Sequence, residues 1–388
     1  MKYNNISINI IIDDLMSSSH IMQNSAIKPP IINNIPQDIL EKKPKVVVFD
    51  VDETLGHFGQ FGIFFDTLSE FYKNPNILYM HFNAIIDLYP EVYRPNIVRI
   101  LDYIRKKKQS GLCSKVMIYT NNQGPGKWIP HIRGYLEKKL EDYGANVANN
   151  IQHKPLFDRI IGGFKVPTMK VDPDQPERTT DEKTIDDFLR CSRLPSNVEI
   201  CFLDDLNHPK MVNEKVYYIK LQSYHSYIPF EQFITRFLNS KVYEDHFAGL
   251  TTRVTQSLSS ATNRQIQKQM TAIEMNNVLL HFIKLSKYDA KKEHIRVNPR
   301  EIDEIISKYI LFHLQQFFKE TKPTMHIDKQ PGSAASSCKS KTRKCAKSQK
   351  SVYSSLKKRI FIVNKEEALK AYKNEKTVNR SKSMKTKK

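Results

Sequence analysis

Lys45-Val46-Val47-Val48-Phe49-Asp50-Val51-Asp52-Glu53-Thr54-Leu55 is the stretch from which the rest of the chain is read. Four apolar residues run without a break into two carboxylates spaced by one residue. Such a run is expected of a strand covered on both faces, as in a parallel sheet. Asp50 and Asp52, one residue apart at the end of that strand, point the same way and can divide one task. In such a pair one carboxylate can attack phosphorus while the other handles the proton of the leaving oxygen. The plainer readings are a capping turn or a calcium loop. The EF-hand pattern, however, needs further ligands and a Gly at fixed offsets that are absent here.

Working outward, similar apolar runs predict strands at Lys115 to Tyr119, Glu199 to Leu203 and Val216 to Ile219. Amphipathic stretches lie between them. Ile97, Ile100, Leu101 and Ile104 share one helical face, and Pro130 opens a segment with Ile132, Leu136 and Leu140 at helical spacing up to Gly144. Strands alternating with helices predict an α/β fold with a Rossmann-like, doubly wound parallel sheet. Ligands in such sheets bind beyond the carboxyl ends of the strands, so the residues after each strand are where chemistry is expected.

The second strand runs into Thr120-Asn121-Asn122-Gln123, where a hydroxyl and backbone N–H groups can hold phosphate oxygens. Gly124-Pro125-Gly126-Lys127 does not make a nucleotide P-loop, because the spacing is wrong and Trp128 stands where a hydroxyl is required. The third strand runs into Asp204-Asp205. Adjacent buried carboxylates repel unless a cation neutralises them or one keeps its proton, so this pair suggests a hard divalent metal, magnesium fitting best. His208, before Pro209, reads as a loop residue rather than a ligand. Phosphoryl transfer also needs a cation on the non-bridging oxygens. Lys183, at the start of a helix ahead of the third strand, is the candidate, with Lys165 and Lys170 as alternatives.

Taken in order, these four sets resemble the haloacid dehalogenase superfamily, marked by DxDx[TV] after the first strand, a Thr or Ser after the second, a Lys, and then paired acids. The resemblance covers roughly residues 43 to 240. Within it, Asp-Val-Asp-Glu-Thr-Leu looks like the RNA polymerase C-terminal-domain phosphatases and the NLI-interacting-factor-like phosphatases, as do Tyr93-Arg94-Pro95-Asn96 and Tyr119-Thr120. The resemblance implies that Asp50 forms an aspartyl-phosphate and that Asp52 protonates the leaving group and then activates water. It also implies that Thr120 and Lys183 bind the phosphoryl oxygens, with Asn121 beside them. Magnesium would be held by Asp50, the Asp52 backbone carbonyl, and Asp204 or Asp205. The chain departs from the family at residues 57 to 92, where Phe61, Phe64, Phe65, Phe71 and Tyr72 read as helix in place of a β-rich flap. The Asn121-to-Pro125 loop looks more like versions encoded by large DNA viruses.

The implied activity is magnesium-dependent hydrolysis of phosphoserine or phosphothreonine in protein. The alternatives are a phosphatase of small metabolites or nucleic-acid ends, and a nucleic-acid or protein-binding factor with an inactive fold of the same type. The full set of acids argues against the last, since buried carboxylates are costly to keep without use.

With 388 residues, 40% of them hydrophobic, the chain has room for a catalytic domain and more. Four regions are expected: an extended arm over 1–42, rich in Asn, Ser, Ile and Pro; the phosphatase domain over 43–240; a small helical appendage over 241–328; and a basic, largely disordered tail over 329–388. In the appendage one stripe is read at Ile266, Met270, Ile273 and Leu280. A second begins at Asn298-Pro299 and includes Ile302, Ile305, Ile306, Tyr309 and Phe317. The tail holds 19 Lys and Arg against 3 acids, most of the net charge of +20, with one short helix expected around Glu366 to Lys376. Its Lys341-Thr342-Arg343-Lys344 and Lys357-Lys358-Arg359 clusters suit a solvated end, a nuclear-import signal or a nucleic-acid contact. Five cysteines without a CxxC pair argue against a disulfide framework and a zinc knuckle and for a reducing, intracellular setting. The basic tail, as an import signal or a polyanion contact, is what makes the nucleus or a virion the expected place within it. The run Ile8 to Ile12 is too short to cross a membrane and lacks signal-peptide flanks, so no membrane partner is expected.

Overall fold

The structure is a computed structural model that describes residues 43–122, 127–145, 154–164, 177–250, 261–288, 297–319 and 360–373. Its strands are β1 (Lys45–Phe49), β2 (Lys115–Tyr119), β3 (Arg159–Ile161), β4 (Glu199–Asp204), β5 (Val216–Leu221) and β6 (Ile360–Val363). They form one sheet, parallel throughout, in the order β3-β2-β1-β4-β5-β6. The chain builds outward from β1 to β3, then returns to lay β4 on the other side of β1. The strand order therefore reverses between β1 and β4, the place at the carboxyl ends of a doubly wound sheet where ligands are generally bound. Phe49 is level there with both Ile118 and Leu203.

Alternation along the strands divides the core into two layers. Val47 and Phe49 of β1, Val116 and Ile118 of β2 and Cys201 and Leu203 of β4 face one side. There they meet most of the helices: α1 (Gly59–Tyr72), α2 (Pro75–Met80), α3 (Phe82–Ile86), α4 (Ile97–Gln109), α5 (Trp128–Ala145), α7 (Phe230–Leu238), α8 (Lys241–His246), α9 (Ala261–Ser286) and α10 (Arg300–Lys319). Val46 and Val48 face the other side with Tyr119, Phe202 and Tyr218, against Ile185, Phe188 and Cys191 of α6 (Ile185–Ser192). Both faces of β1 are thus covered, which is why its sequence is apolar from Val46 to Phe49.

The expected helical character of residues 57 to 92 is present in α1 to α3. Phe61, Phe64 and Phe65 are buried there in an aromatic cluster with Phe82, Tyr89, Trp128 and Phe233, while Phe71 and Tyr72 are partly buried.

The region beyond residue 240 differs from the expectation in three ways. First, α9 and α10 share the core of the sheet rather than forming a separate appendage. Met275, Leu279 and Ile283 lie in the core beside α1, and Lys45 donates to the carbonyl of Phe317. Second, the stripe Ile266, Met270, Ile273 and Leu280 is exposed, with Leu280 63% accessible. α9 carries apolar residues on two faces, and periodicity alone does not say which one meets a partner. Third, part of the basic tail is a strand: Ile360 to Val363 extend the sheet alongside β5, and Phe361 stacks on Tyr217 with ring centroids 4.2 Å apart. The short helix expected around Glu366 is present over 365–373. The short strands β3 and β6 carry too few residues for an apolar run to stand out.

The arm over 1–42 and the lysine-rich clusters before Ile360 lie outside the described residues. Cys113, Cys191 and Cys201 are buried free thiols. Among the described residues no helix is long and apolar enough to cross a membrane.

Candidate functional site

Asp50 follows β1 directly, and its N–H donates to the Leu203 carbonyl at 2.9 Å, carrying the ladder one residue past the strand. Asp204 is the last residue of β4, the strand beside it. The reversal of strand order thereby sets two acids from distant parts of the chain side by side. Lys183 lies just before α6, whose start is fixed by the Thr184 hydroxyl accepting from the Asp187 N–H at 3.0 Å. From there its Nζ reaches Asp50 Oδ1 at 2.6 Å and Asp204 Oδ2 at 2.7 Å. The ammonium is buried, flanked by the rings of Tyr119 and Phe202.

A second group faces this one from β2. The buried Thr120 hydroxyl accepts from the Asn122 N–H at 3.1 Å, and Asn122 Nδ2 donates to Asp52 Oδ2 at 2.8 Å. Behind them Arg178, also buried, donates to the Thr120 carbonyl at 3.2 Å and to Asn121 Oδ1 at 2.6 Å, over the face of Tyr119.

The turn joining Asp50 to α1 is held from outside. Glu53 adopts a left-handed φ of 54°, and a methyl at Gly56 would strike the Val92 carbonyl. Arg94, fully buried, donates to the carbonyls of Thr54 at 2.7 Å, Glu53 at 2.7 Å and Gln222 at 2.9 Å. The Thr54 hydroxyl in turn receives the Asp205 N–H at 3.1 Å, while Ser223 donates to Asp205 Oδ2 at 2.7 Å.

Burial is the largest influence on the acids. It pushes Asp50 up to about 7, with the Asp204 charge adding to the rise and Lys183 opposing it. Burial also raises Asp52, against the Asn122 hydrogen bond, and raises Asp205, against the Ser223 bond. At Asp204 burial works upward too, but His208 and Lys183 outweigh it and hold that carboxyl below its ordinary value. The ligand oxygens of Asp50, Asp204 and Asp205 lie within 4.8 Å of one another. Three buried carboxylates against one ammonium leave negative charge that a divalent cation would offset, so the donor set fits a hard metal ion.

The structure thus brings together Asp50, Asp52, Thr120, Lys183, Asp204 and Asp205. Asp52 stands apart from the three converging acids, its carboxylate turned to Asn122. Asn121, expected at the phosphate, instead has its side-chain oxygen on Arg178 and is exposed. Lys165, Lys170 and the glycines of the 124–126 loop lie outside the described residues. Arg94, Arg178 and Asn122 were not singled out as site residues. Arg94 acts through main-chain carbonyls, and Arg178 through those of Thr120 and Asp181 besides Asn121 Oδ1; main-chain carbonyls carry no residue-type signal. His208, read as a loop residue, is buried with Nε2 3.2 Å from Asp204 Oδ2.

Compared with family models and with curated proteins, the chain matches none of them.

Proposed function

We propose that the chain is a phosphatase of the haloacid dehalogenase type, working through an aspartyl-phosphate at Asp50. The observation that carries this reading is Lys183 held between Asp50 and Asp204, with Asp52 and Thr120 on the adjoining strand ends.

In the first half-reaction an oxygen of Asp50 attacks phosphorus, the bond to the leaving oxygen breaks, and Asp52 passes its proton to that oxygen. Burial raises Asp52, the direction that favours a proton donor. Lys183 has three N–H donors, and its two carboxylate partners leave one for a phosphoryl oxygen. Thr120 uses its oxygen to accept from Asn122 and keeps its hydroxyl hydrogen for another phosphoryl oxygen. In the second half-reaction Asp52 takes a proton from water, whose oxygen attacks phosphorus and frees Asp50 and phosphate. Magnesium, held by Asp50, the Asp52 carbonyl and Asp204 or Asp205, would neutralise charge on the attacking carboxylate and the phosphoryl group.

The resemblance of Asp-Val-Asp-Glu-Thr-Leu to the C-terminal-domain phosphatases favours phosphoserine or phosphothreonine in protein as substrate. The test is hydrolysis of an aryl phosphate with and without magnesium by wild type and Asp50→Asn. An amide is a poor nucleophile of nearly the same shape, so turnover should vanish. Retained turnover in the variant overturns the mechanism.

A further inference from the structure

Beside the acid cluster, and sharing no side chain with it, Glu53, His57 and His225 converge. One ligand atom from each lies within 4.8 Å of the other two. Glu53 and His57 belong to the turn after β1, and His225 to the segment after β5. The two imidazole rings stand edge to face, with centroids 5.3 Å apart.

The hydrogen bonds of His57 decide which nitrogen is available. Its Nδ1 lies 2.8 Å from the Ser226 carbonyl oxygen, closer than the Ser226 N–H at 3.3 Å. Two lone pairs would oppose each other at 2.8 Å, so Nδ1 carries the hydrogen and donates it. In the neutral ring Nε2 is then bare, and it faces Glu53 Oε1 at 3.8 Å, another group with only lone pairs to offer. On His225, Nδ1 is buried and has no hydrogen-bond partner among the described residues. An imidazole whose far nitrogen donates to a main-chain carbonyl is oriented as metal-ligating histidines are.

We propose that Glu53, His57 and His225 form a site for a borderline transition-metal ion of the zinc class, with a fourth position open to water. Two imidazole nitrogens and one carboxylate oxygen are a recurrent zinc donor set, whereas magnesium prefers oxygen alone. Ligand atoms around tetrahedral zinc lie about 3.3 Å apart. The three ligand atoms, within 4.8 Å of one another, would draw together on binding, and the partly exposed Glu53 side chain, 3.8 Å from His57 Nε2, has room to move. The ion would tie the turn after Asp52 to the segment after β5, which already meet where the Tyr224 N–H donates to the Glu53 carbonyl at 2.8 Å. The proposal stands apart from the phosphatase reading, because its readout is metal binding.

The test uses the full chain, stripped of metal and carrying Asp204→Asn and Asp205→Asn to remove the acid cluster. It is titrated with cobalt(II), then zinc(II). One equivalent of cobalt should bind with the visible absorption of a low-coordinate nitrogen-ligated ion and be displaced by zinc. Adding His225→Gln, or Glu53→Gln on its partly exposed side chain, should each weaken binding at least about tenfold. His246→Gln, in the stacked His81–His246 pair at 3.9 Å, should leave it unchanged. Absence of a tight equivalent, unchanged binding in either ligand variant, or loss in His246→Gln overturns the site.

Discussion

Lys183 Nζ stands 2.6 Å from Asp50 Oδ1, a contact between residues 133 positions apart, with the lysine side chain 2% and the aspartate 9% accessible. Because a second acid, Asp204, holds the same ammonium, Lys183 is both a candidate phosphate ligand and the main counter-charge of the buried acids.

Replacing Lys183 with Met should therefore be costly to the fold as well as to turnover. Removing one partner of a buried pair strands the other charge and costs about 3–5 kcal/mol. Urea unfolding in chelator measures it, and a loss below about 1 kcal/mol would show that the pair contributes nothing to stability.

Asp50→Asn should have a pH-dependent effect opposite in sign. Asp50 is raised from 3.8 to about 7 by burial, so between those values the folded chain holds a proton that the unfolded chain releases. Stability from this group is thus full below pH 4 and falls as pH rises through 7. The neutral amide escapes that loss, so without metal the variant should gain on the order of 2–4 kcal/mol over wild type at pH 8 and nothing at pH 4. Parallel stability curves for the two proteins would contradict this.

Magnesium should raise the melting temperature through the acids at the end of β4. Binding to the folded state alone stabilises by about 2.7 kcal/mol at a hundredfold excess over the dissociation constant. In a chain carrying Asp204→Ala and Asp205→Ala the rise should disappear. A wild-type rise in that chain would put the ion elsewhere.

Arg94→Lys should fail as a conservative change. The guanidinium serves the carbonyls of Thr54, Glu53 and Gln222 at once, a fork that a single ammonium cannot reproduce in a closed site. A loss of about 3 kcal/mol is expected by thermal or urea unfolding, and a wild-type midpoint would refute it.

The ordered part of the tail changes what truncation should do. Ending the chain at residue 328 deletes β6, uncovers Tyr217 and removes the Val363 carbonyl that accepts from the Gln222 N–H at 2.7 Å. That chain should melt several degrees lower, on the order of 1–2 kcal/mol, whereas ending it at 373 should change nothing in the sheet. Equal melting of the two truncations would mean that β6 does not support the fold.

Within the sequence, β1, β2, β4 and β5 were legible because a strand covered on both faces carries a continuous apolar run through its middle, whatever charged residue stands toward its ends. The acids that end β1 and β4 were legible for a related reason. Carboxylates directly after buried strands are costly, and few uses justify them. Residue type and order along the chain therefore determined the α/β class and identified Asp50, Asp52, Thr120, Lys183, Asp204 and Asp205 as the residues to examine. Only the tertiary structure decided that β4 returns to the side of β1, which sets Asp204 beside Asp50 and brings Lys183 between them. It alone decided which apolar stripe of α9 is buried, that Ile360 to Val363 join the sheet, and that Arg94 and Arg178 hold the site through carbonyls. Those outcomes depend on strand order and on main-chain groups common to every residue, and neither leaves a mark in the local pattern of side chains.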